Sequence, residues 1–367
     1  MSYTENYQKW LDFAELPAYL RDELVSMDEK TKEDAFYTNL EFGTAGMRGL
    51  IGAGTNRINI YVVRQATEGL AQLIDSKGEE AKKRGVAIAY DSRHFSPEFA
   101  FESAQVLAAH GIKSYVFESL RPTPELSFAV RHLHTFAGIM ITASHNPAPF
   151  NGYKVYGEDG GQMPPADADA LTDYIRAIDN PFTVKLADLE DSKASGLIEI
   201  IGENVDAEYL KEVKDVNINQ DLINEYGRDM KIVYTSLHGT GEMLARRALA
   251  QAGFDAVQVV EAQAVPHADF LTVKSPNPEN QDAFALAEEL GRNVDADVLV
   301  ATDPDADRLG VEIRQPDGSY LNLSGNQIGA IIAKYILEAH KTAGTLPANG
   351  ALCKSIVSTE LVTKIAE

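Results

Sequence analysis

Residues 84–118, RGVAIAYDSRHFSPEFAFESAQVLAAHGIKSYVFE, leave little choice of fold. Val86 to Tyr90 is a short apolar run of strand length, and it runs out into the polar Asp91-Ser92-Arg93. Ser96 is placed to cap a helix, Pro97 suits its first turn, and Gly111 is placed to stop it. Residues 112–118 read as a second strand. Strand, helix and strand at this length make a βαβ unit, and such a unit requires a parallel sheet. The same grammar returns at 230–260, where MKIVYTSLHGTG leads into the helix EMLARRALAQAG, stopped by Gly253, and then the strand FDAVQVV. A third, shorter copy lies in 350–367, GALCKSIVSTELVTKIAE, with a strand, a Ser/Thr turn and the start of a helix. The expectation is an α/β protein of serial, topologically similar domains with mixed sheets sandwiched by helices. The expected boundaries are 1–205, 206–322 and an incomplete 323–367. Residues 4–40 and 59–74 read as helical, and 157 onwards begins as an exposed loop.

Bulk properties exclude several function classes. The chain has 367 residues and a formal net charge of −22. So acidic a chain is a poor partner for nucleic acid or an anionic membrane, although local cations can still line an anion-binding cleft. A lone cysteine, Cys353, permits no intrachain disulfide and fits a reducing compartment. The N-terminal stretch has no basic and apolar signal pattern, and no apolar run approaches a membrane span. The expectation is a cytoplasmic protein.

Two loops carry the chemistry. In GIMITASHNP (138–147) a buried strand ends in a tight polar turn, with Pro147 forcing the chain away from regular pairing. Ser144 therefore sits beyond the carboxyl end of a strand, where open α/β sheets bind ligands. The competing reading is a strand-capping turn with His145 merely exposed. A serine-hydrolase elbow would need G-x-S-x-G, which is absent. His145, as the adjacent residue on a strand-like segment, is expected to point away from Ser144. In DVLVATDPDADR (297–308) a second buried strand ends in Asp303, Asp305 and Asp307. On an extended segment, alternate positions place all three carboxylates on one side. Such a cluster repels itself unless a hard divalent cation neutralises it, and Mg²⁺ suits phosphate chemistry. The loop is no EF-hand, because it lacks the glycine and the distal glutamate. A solvated acidic turn is the alternative.

Two further stretches are weaker signals. FGTAGMRG (42–49) offers glycines whose N–H groups could approach an anion, and Arg48 offers a planar fork for phosphate. In NGYKVY (151–156) Gly152 is expected to make a turn and Lys154 to lie on the strand after it; such a lysine is usually solvent-facing, yet near a serine and a metal it is a credible acid/base. SLHGTG (236–241) and KSPNPENQDA (274–283) read as polar loops without a specific signal. A serine, clustered carboxylates for Mg²⁺, two arginines and a lysine together point to phosphoryl transfer through a phosphoserine.

FGTAGMRG, TASHNP, NGYK and DPDADR, in this order along the chain, resemble the α-D-phosphohexomutase superfamily of phosphoglucomutases and phosphomannomutases, and in particular its phosphoglucomutase-2/phosphopentomutase-like branch. The resemblance implies interconversion of glucose 1-phosphate and glucose 6-phosphate through a bound 1,6-bisphosphate, with glucose 1,6-bisphosphate as priming activator. It implies Ser144 as phosphate carrier, Lys154 as general acid/base, and His145 at the catalytic centre. It also implies Thr44, Arg48 and Arg308 as phosphate- or substrate-binding residues, and one Mg²⁺ held by Asp303, Asp305, Asp307 and the Ser144 phosphate. Phosphopentomutase or phosphomannomutase activity, a non-catalytic binding or regulatory role, and more distantly a serine hydrolase are the alternatives. The implied partner is a phosphosugar, with a monomer or weak dimer as the working form. The family's four domains include a sugar-recognition loop in the third and a phosphate-binding loop in the fourth. Neither is found before Glu367, so a chain of this extent is expected to be impaired as a mutase.

Overall fold

The computed structural model describes residues 2–43 and 46–367. Contacts within the chain divide it into two compact units. The first runs to Val205 and includes His267–Asp269; the second holds 206–266 and 270–367.

The first unit is built on six strands, β1 (Met47–Leu50), β2 (Val86–Tyr90), β3 (Ser114–Phe117), β4 (Ala137–Ile141), β5 (Phe150–Tyr156) and β6 (Ile198–Ile201). Their spatial order is β1-β5-β4-β2-β3-β6. β4, β2, β3 and β6 run parallel, while β5 is antiparallel to both β4 and β1. β2 and β4 are buried along their whole length, which explains their unbroken apolar sequence. The helix Ser96–Ala109 carries the chain from β2 to β3, and the helix Thr123–His132 carries it back across β2 to β4. Right-handed crossovers in opposite directions place these helices on opposite faces of the sheet. The helix Ile60–Lys77 packs on Ser96–Ala109 and is capped by Asn59, whose Oδ1 accepts from the N–H groups of Tyr61 and Val62.

The second unit repeats this plan. Its strands are β7 (Ile232–Thr235), β8 (Val257–Val259), β9 (Val298–Thr302), β10 (Leu309–Arg314) and β11 (Tyr320–Leu323), in the order β11-β10-β9-β7-β8. β7 is parallel to β8 and β9, and β10 is antiparallel to β9. The run β5-β4-β2-β3 in one unit thus matches β10-β9-β7-β8 in the other, so the repeat read from sequence is a repeat of topology. The helix Gly241–Ala252 ends at Gly253, whose φ of 108° suits glycine. No helix among the described residues is long and apolar enough to cross a membrane.

Three local expectations need correction. Ser96 is not the N-cap of its helix; Phe95 takes that position in the left-handed region, and the Ser96 hydroxyl donates instead to Asp91 Oδ1 at 2.8 Å. A buried carboxylate outcompetes the helix end for that hydroxyl. Gly152 makes no turn but lies inside β5, paired with Arg48 of β1. The expected strand near 351–355 does not form, because no neighbouring edge pairs with it, and Ile356 and Val357 beside it are almost wholly exposed. The chain regains regular structure only in the helix Leu361–Ala366.

Candidate active site

The two loops singled out in the sequence occupy the same station in the two units. One leaves β4 for its antiparallel neighbour β5, and the other leaves β9 for β10. In the first, Thr142 Oγ1 accepts the Ser144 N–H at 2.8 Å, and Ser144 takes a φ of 53°. That left-handed backbone turns the side chain away from the strand pattern. Ser144 Oγ consequently lies 3.2 Å from His145 Nδ1, within hydrogen-bond distance. The expectation that neighbouring side chains point apart fails here because the segment is a turn and not a strand. His145 is half-buried, and Ser144 is almost completely buried.

Register brings Lys154 and Arg48 to the same unit. Lys154 of β5 pairs with Met140 of β4, and Arg48 of β1 pairs with Gly152. Residues 152 and 154 share one face of β5, so Arg48 and Lys154 are on that face together. Lys154 is buried, not solvent-facing as a lysine in such a strand usually is. Arg48 Nε is buried and makes no hydrogen bond among the described residues. In the glycine-rich stretch, the described glycines make close backbone contacts. Gly43 and Gly46 donate their amides to each other's carbonyls, at 3.2 and 2.8 Å. A Cβ on Gly46, whose φ is 76°, would fall 2.3 Å from Tyr153 O. Gly46 is therefore needed for close approach to β5. Thr44 lies outside the described residues.

The chain brings Arg93, which sequence reading passed over in a polar loop, to the Ser144 carbonyl, with Asp91 as its partner. Asp91 Oδ2 is 3.2 Å from Arg93 Nε, with both side chains fully buried. Burial pushes the Asp91 carboxyl above its ordinary range, opposed by the neighbouring guanidinium. Asn151 Nδ2 donates to His94 O and to Ser96 Oγ, both at 2.9 Å, tying β5 to the same loop. The available signal was an Asp-x-Arg pair closing an all-apolar strand, where a charge has to be partnered if it is buried.

In the second unit, carboxylate oxygens of Asp303, Asp305 and Asp307 all lie within 4.8 Å of one another. Asp303 and Asp305 are fully buried and Asp307 is exposed. The gathering is real, but its geometric cause is not strand alternation. The segment is a turn, with Ala306 at a φ of 52°, its N–H donating to Asp303 O at 2.9 Å. The Arg308 N–H donates to Asp303 Oδ1 at 3.1 Å, while its side chain is exposed. The HGTG loop, unspecific in sequence, supports this turn: the Thr240 N–H donates to Pro304 O at 2.8 Å. A Cβ on Gly239 would fall 2.4 Å from Pro304 Cα, so only glycine permits the contact. Three carboxylates this close could hold a metal ion, and an all-oxygen donor set fits Mg²⁺.

Comparison with known proteins agrees with these features. The phosphoglucomutase/phosphomannomutase alpha/beta/alpha domain I model matches residues 39–182, and the domain II model of the same family matches 207–316. The chain is 39% identical to a phosphoglucomutase of Staphylococcus epidermidis over 98% of its own length and 63% of that protein's. It is 37% identical to one of Staphylococcus haemolyticus over 99% of its length and 63% of the relative's. The chain thus spans less than two thirds of the length of these curated relatives. A crystal structure assigned as a phosphomannomutase from Thermus thermophilus superposes with a TM-score of 0.66 at 25% identity, covering 83% of this chain and 62% of that one. The open form of parafusin, a phosphoglucomutase from Paramecium, shares the fold with a TM-score of 0.63 at 19% identity, covering 90% and 61%. With two domain models accounting for most of its length and the serine and aspartate loops at matching stations, the chain belongs to the phosphoglucomutase/phosphomannomutase family of the α-D-phosphohexomutase superfamily.

Proposed function

We propose that this chain carries the phosphoserine and metal-binding portions of a phosphoglucomutase that interconverts glucose 1-phosphate and glucose 6-phosphate. The observation that carries the reading is the pairing of chemistry with topology: a buried serine after β4 and three clustered carboxylates after the equivalent β9. The curated relatives named above are phosphoglucomutases, which supports glucose phosphates over pentose or mannose phosphates.

In this reading Ser144 Oγ is the phosphate carrier. Transfer breaks its O–P bond, forms a new one to a sugar hydroxyl, and passes that hydroxyl's proton to a base. Lys154, an ammonium or amine on the strand beside the loop, serves as the acid/base. His145, 3.2 Å from Ser144 Oγ, gives a proton to the serine oxygen as the phosphoryl group leaves and takes it back when phosphate returns. Arg48, whose Nε makes no hydrogen bond among the described residues, binds phosphoryl oxygens through its planar fork, and Arg308 offers another guanidinium, an exposed one. Asp303, Asp305 and Asp307 would hold Mg²⁺, which when bound supplies positive charge to phosphoryl oxygens. Glucose 1,6-bisphosphate is the expected priming donor, and a reducing cytoplasm suits the lone Cys353.

The test is incubation with glucose 1,6-bisphosphate and Mg²⁺, followed by mass spectrometry. One phosphate is expected on Ser144 and none on Ser144→Ala. A wild-type chain that takes up no phosphate, or one that is labelled equally well in S144A, refutes the reading.

A further inference from the structure

The Ser144 loop holds a non-glycine residue in the left-handed region, a strained arrangement that persists only where the surroundings over-determine it. Arg93 is what surrounds it. Its Nη2 donates to Ser144 O at 2.7 Å and to Asn146 O at 2.6 Å. Its Nη1 donates to Pro147 O at 3.0 Å and to Phe150 O at 2.9 Å. Its Nε faces Asp91. One guanidinium therefore gathers four backbone carbonyls from both sides of Pro147, the residue that breaks regular pairing.

We infer that Arg93 is a positioning residue for Ser144. By fanning out to four carbonyls it fixes the loop backbone that aims Ser144 Oγ. The inference rests on the phosphate-carrier reading of Ser144. Three features argue for a role beyond filling space. The carbonyl of Ser144 itself is among the acceptors, so the contact acts on the peptide that sets the serine's orientation. The carbonyl oxygens are drawn to the guanidinium and so kept from the region of a phosphate dianion, which they would repel. The charge is buried in full and balanced by Asp91, which is costly to arrange for packing alone. In the second unit, the Thr240 N–H donates to Pro304 O beside Gly239, a contact between backbone groups.

Arg93→Lys tests this, because an ammonium keeps the charge but cannot reproduce a planar fork reaching four acceptors. Two readouts apply to the intact chain. Amide hydrogen exchange over 142–150 is expected to rise at least ~10-fold, with β2 and β4 still protected. The rate of Ser144 phosphorylation at saturating glucose 1,6-bisphosphate is expected to fall on the order of 100-fold, as misplacement of a reacting group does, with the half-saturating concentration nearly unchanged. Unchanged exchange in 142–150 overturns the inference. So does a loss confined to the half-saturating concentration. Loss of protection throughout β2 and β4 also overturns it, because Arg93 then only holds the unit together. Should wild type accept no phosphate, the phosphate-carrier reading fails separately, and exchange alone decides whether Arg93 positions the loop.

Discussion

Replacing Gly152 by alanine adds one methyl group at the junction of three strands. The new Cβ would lie 2.5 Å from Thr142 O and 2.6 Å from Met47 O, with Arg48 Cγ at 3.2 Å. Both short contacts are to backbone, so no side chain can swing aside. Either β1 or the end of β4 has to move by a sizeable fraction of an ångström. Overpacking costs typically about 1–3 kcal/mol, and rigid neighbours on two flanks put G152A at the upper end, near 3 kcal/mol. For a unit of this size each kcal/mol lowers the melting temperature by about 2–4 °C, so a fall of roughly 6–12 °C is expected. The displacement also has a chemical address, since β1 carries Arg48 and Thr142 accepts the Ser144 N–H. Scanning calorimetry combined with hydrogen exchange over β4 and β5 measures both effects. Gly325→Ala is the control: no atom lies within 4 Å of its added Cβ, at the start of a helix, and a change within about 0.5 kcal/mol is expected. A melting temperature for G152A within ~1 °C of wild type would show that the sheet yields freely and that the close-approach argument is wrong.

Other perturbations test other parts of the chain. His110 bridges Asp75 at 2.6 Å and Glu68 at 3.0 Å; the Glu68 hydrogen bond chiefly raises its pKa above 6.5, while both carboxyls are lowered. The His110 contribution is full below pH 6.5 and fades as pH rises through the raised value, and the carboxylate contributions fade as pH falls below their ordinary 4.5 and 3.8. His110→Asn should therefore destabilise most near pH 5.5 and little at pH 9, as urea titrations would reveal; equal losses at both values would contradict the clamp. Glu312 is buried with Oε2 lacking a hydrogen bond among the described residues, and burial raises its carboxyl to about 7. Its ionisation costs stability as pH rises from its ordinary 4.5 towards 7, so Glu312→Gln should raise the melting temperature at pH 8 and leave it unchanged at pH 4. Mg²⁺ at about 100 times its dissociation constant should stabilise the second unit by roughly 2.7 kcal/mol, an effect that EDTA reverses. Asp305→Asn should abolish most of that thermal shift, and a shift of wild-type size in D305N would exclude the carboxylate cluster as the metal site.

Local patterns in the chain specify the kind of fold and single out the candidate reactive groups. Apolar runs of strand length, a capped amphipathic stretch and their recurrence are local signals, and local signals are enough to demand parallel α/β units. TASHNP and DPDADR point to their proposed chemistry through residue type. What the sequence left open depends on contacts between distant segments. Arg93 reaches a loop 51 residues further along the chain, and nothing near it in sequence shows which carbonyls it meets. Gly46 and Gly152 read as loop glycines, whereas strand pairing makes them points where backbones nearly touch. Ser144 and Ala306 adopt left-handed backbones that no propensity for serine or alanine predicts, and these turns decide where Ser144 Oγ and the three carboxylates stand. Lys154 could have faced solvent on an isolated strand; the register of β5 between β1 and β4 buries it. Orientation is a tertiary property because a backbone strained by about 1–3 kcal/mol needs distant partners to hold it.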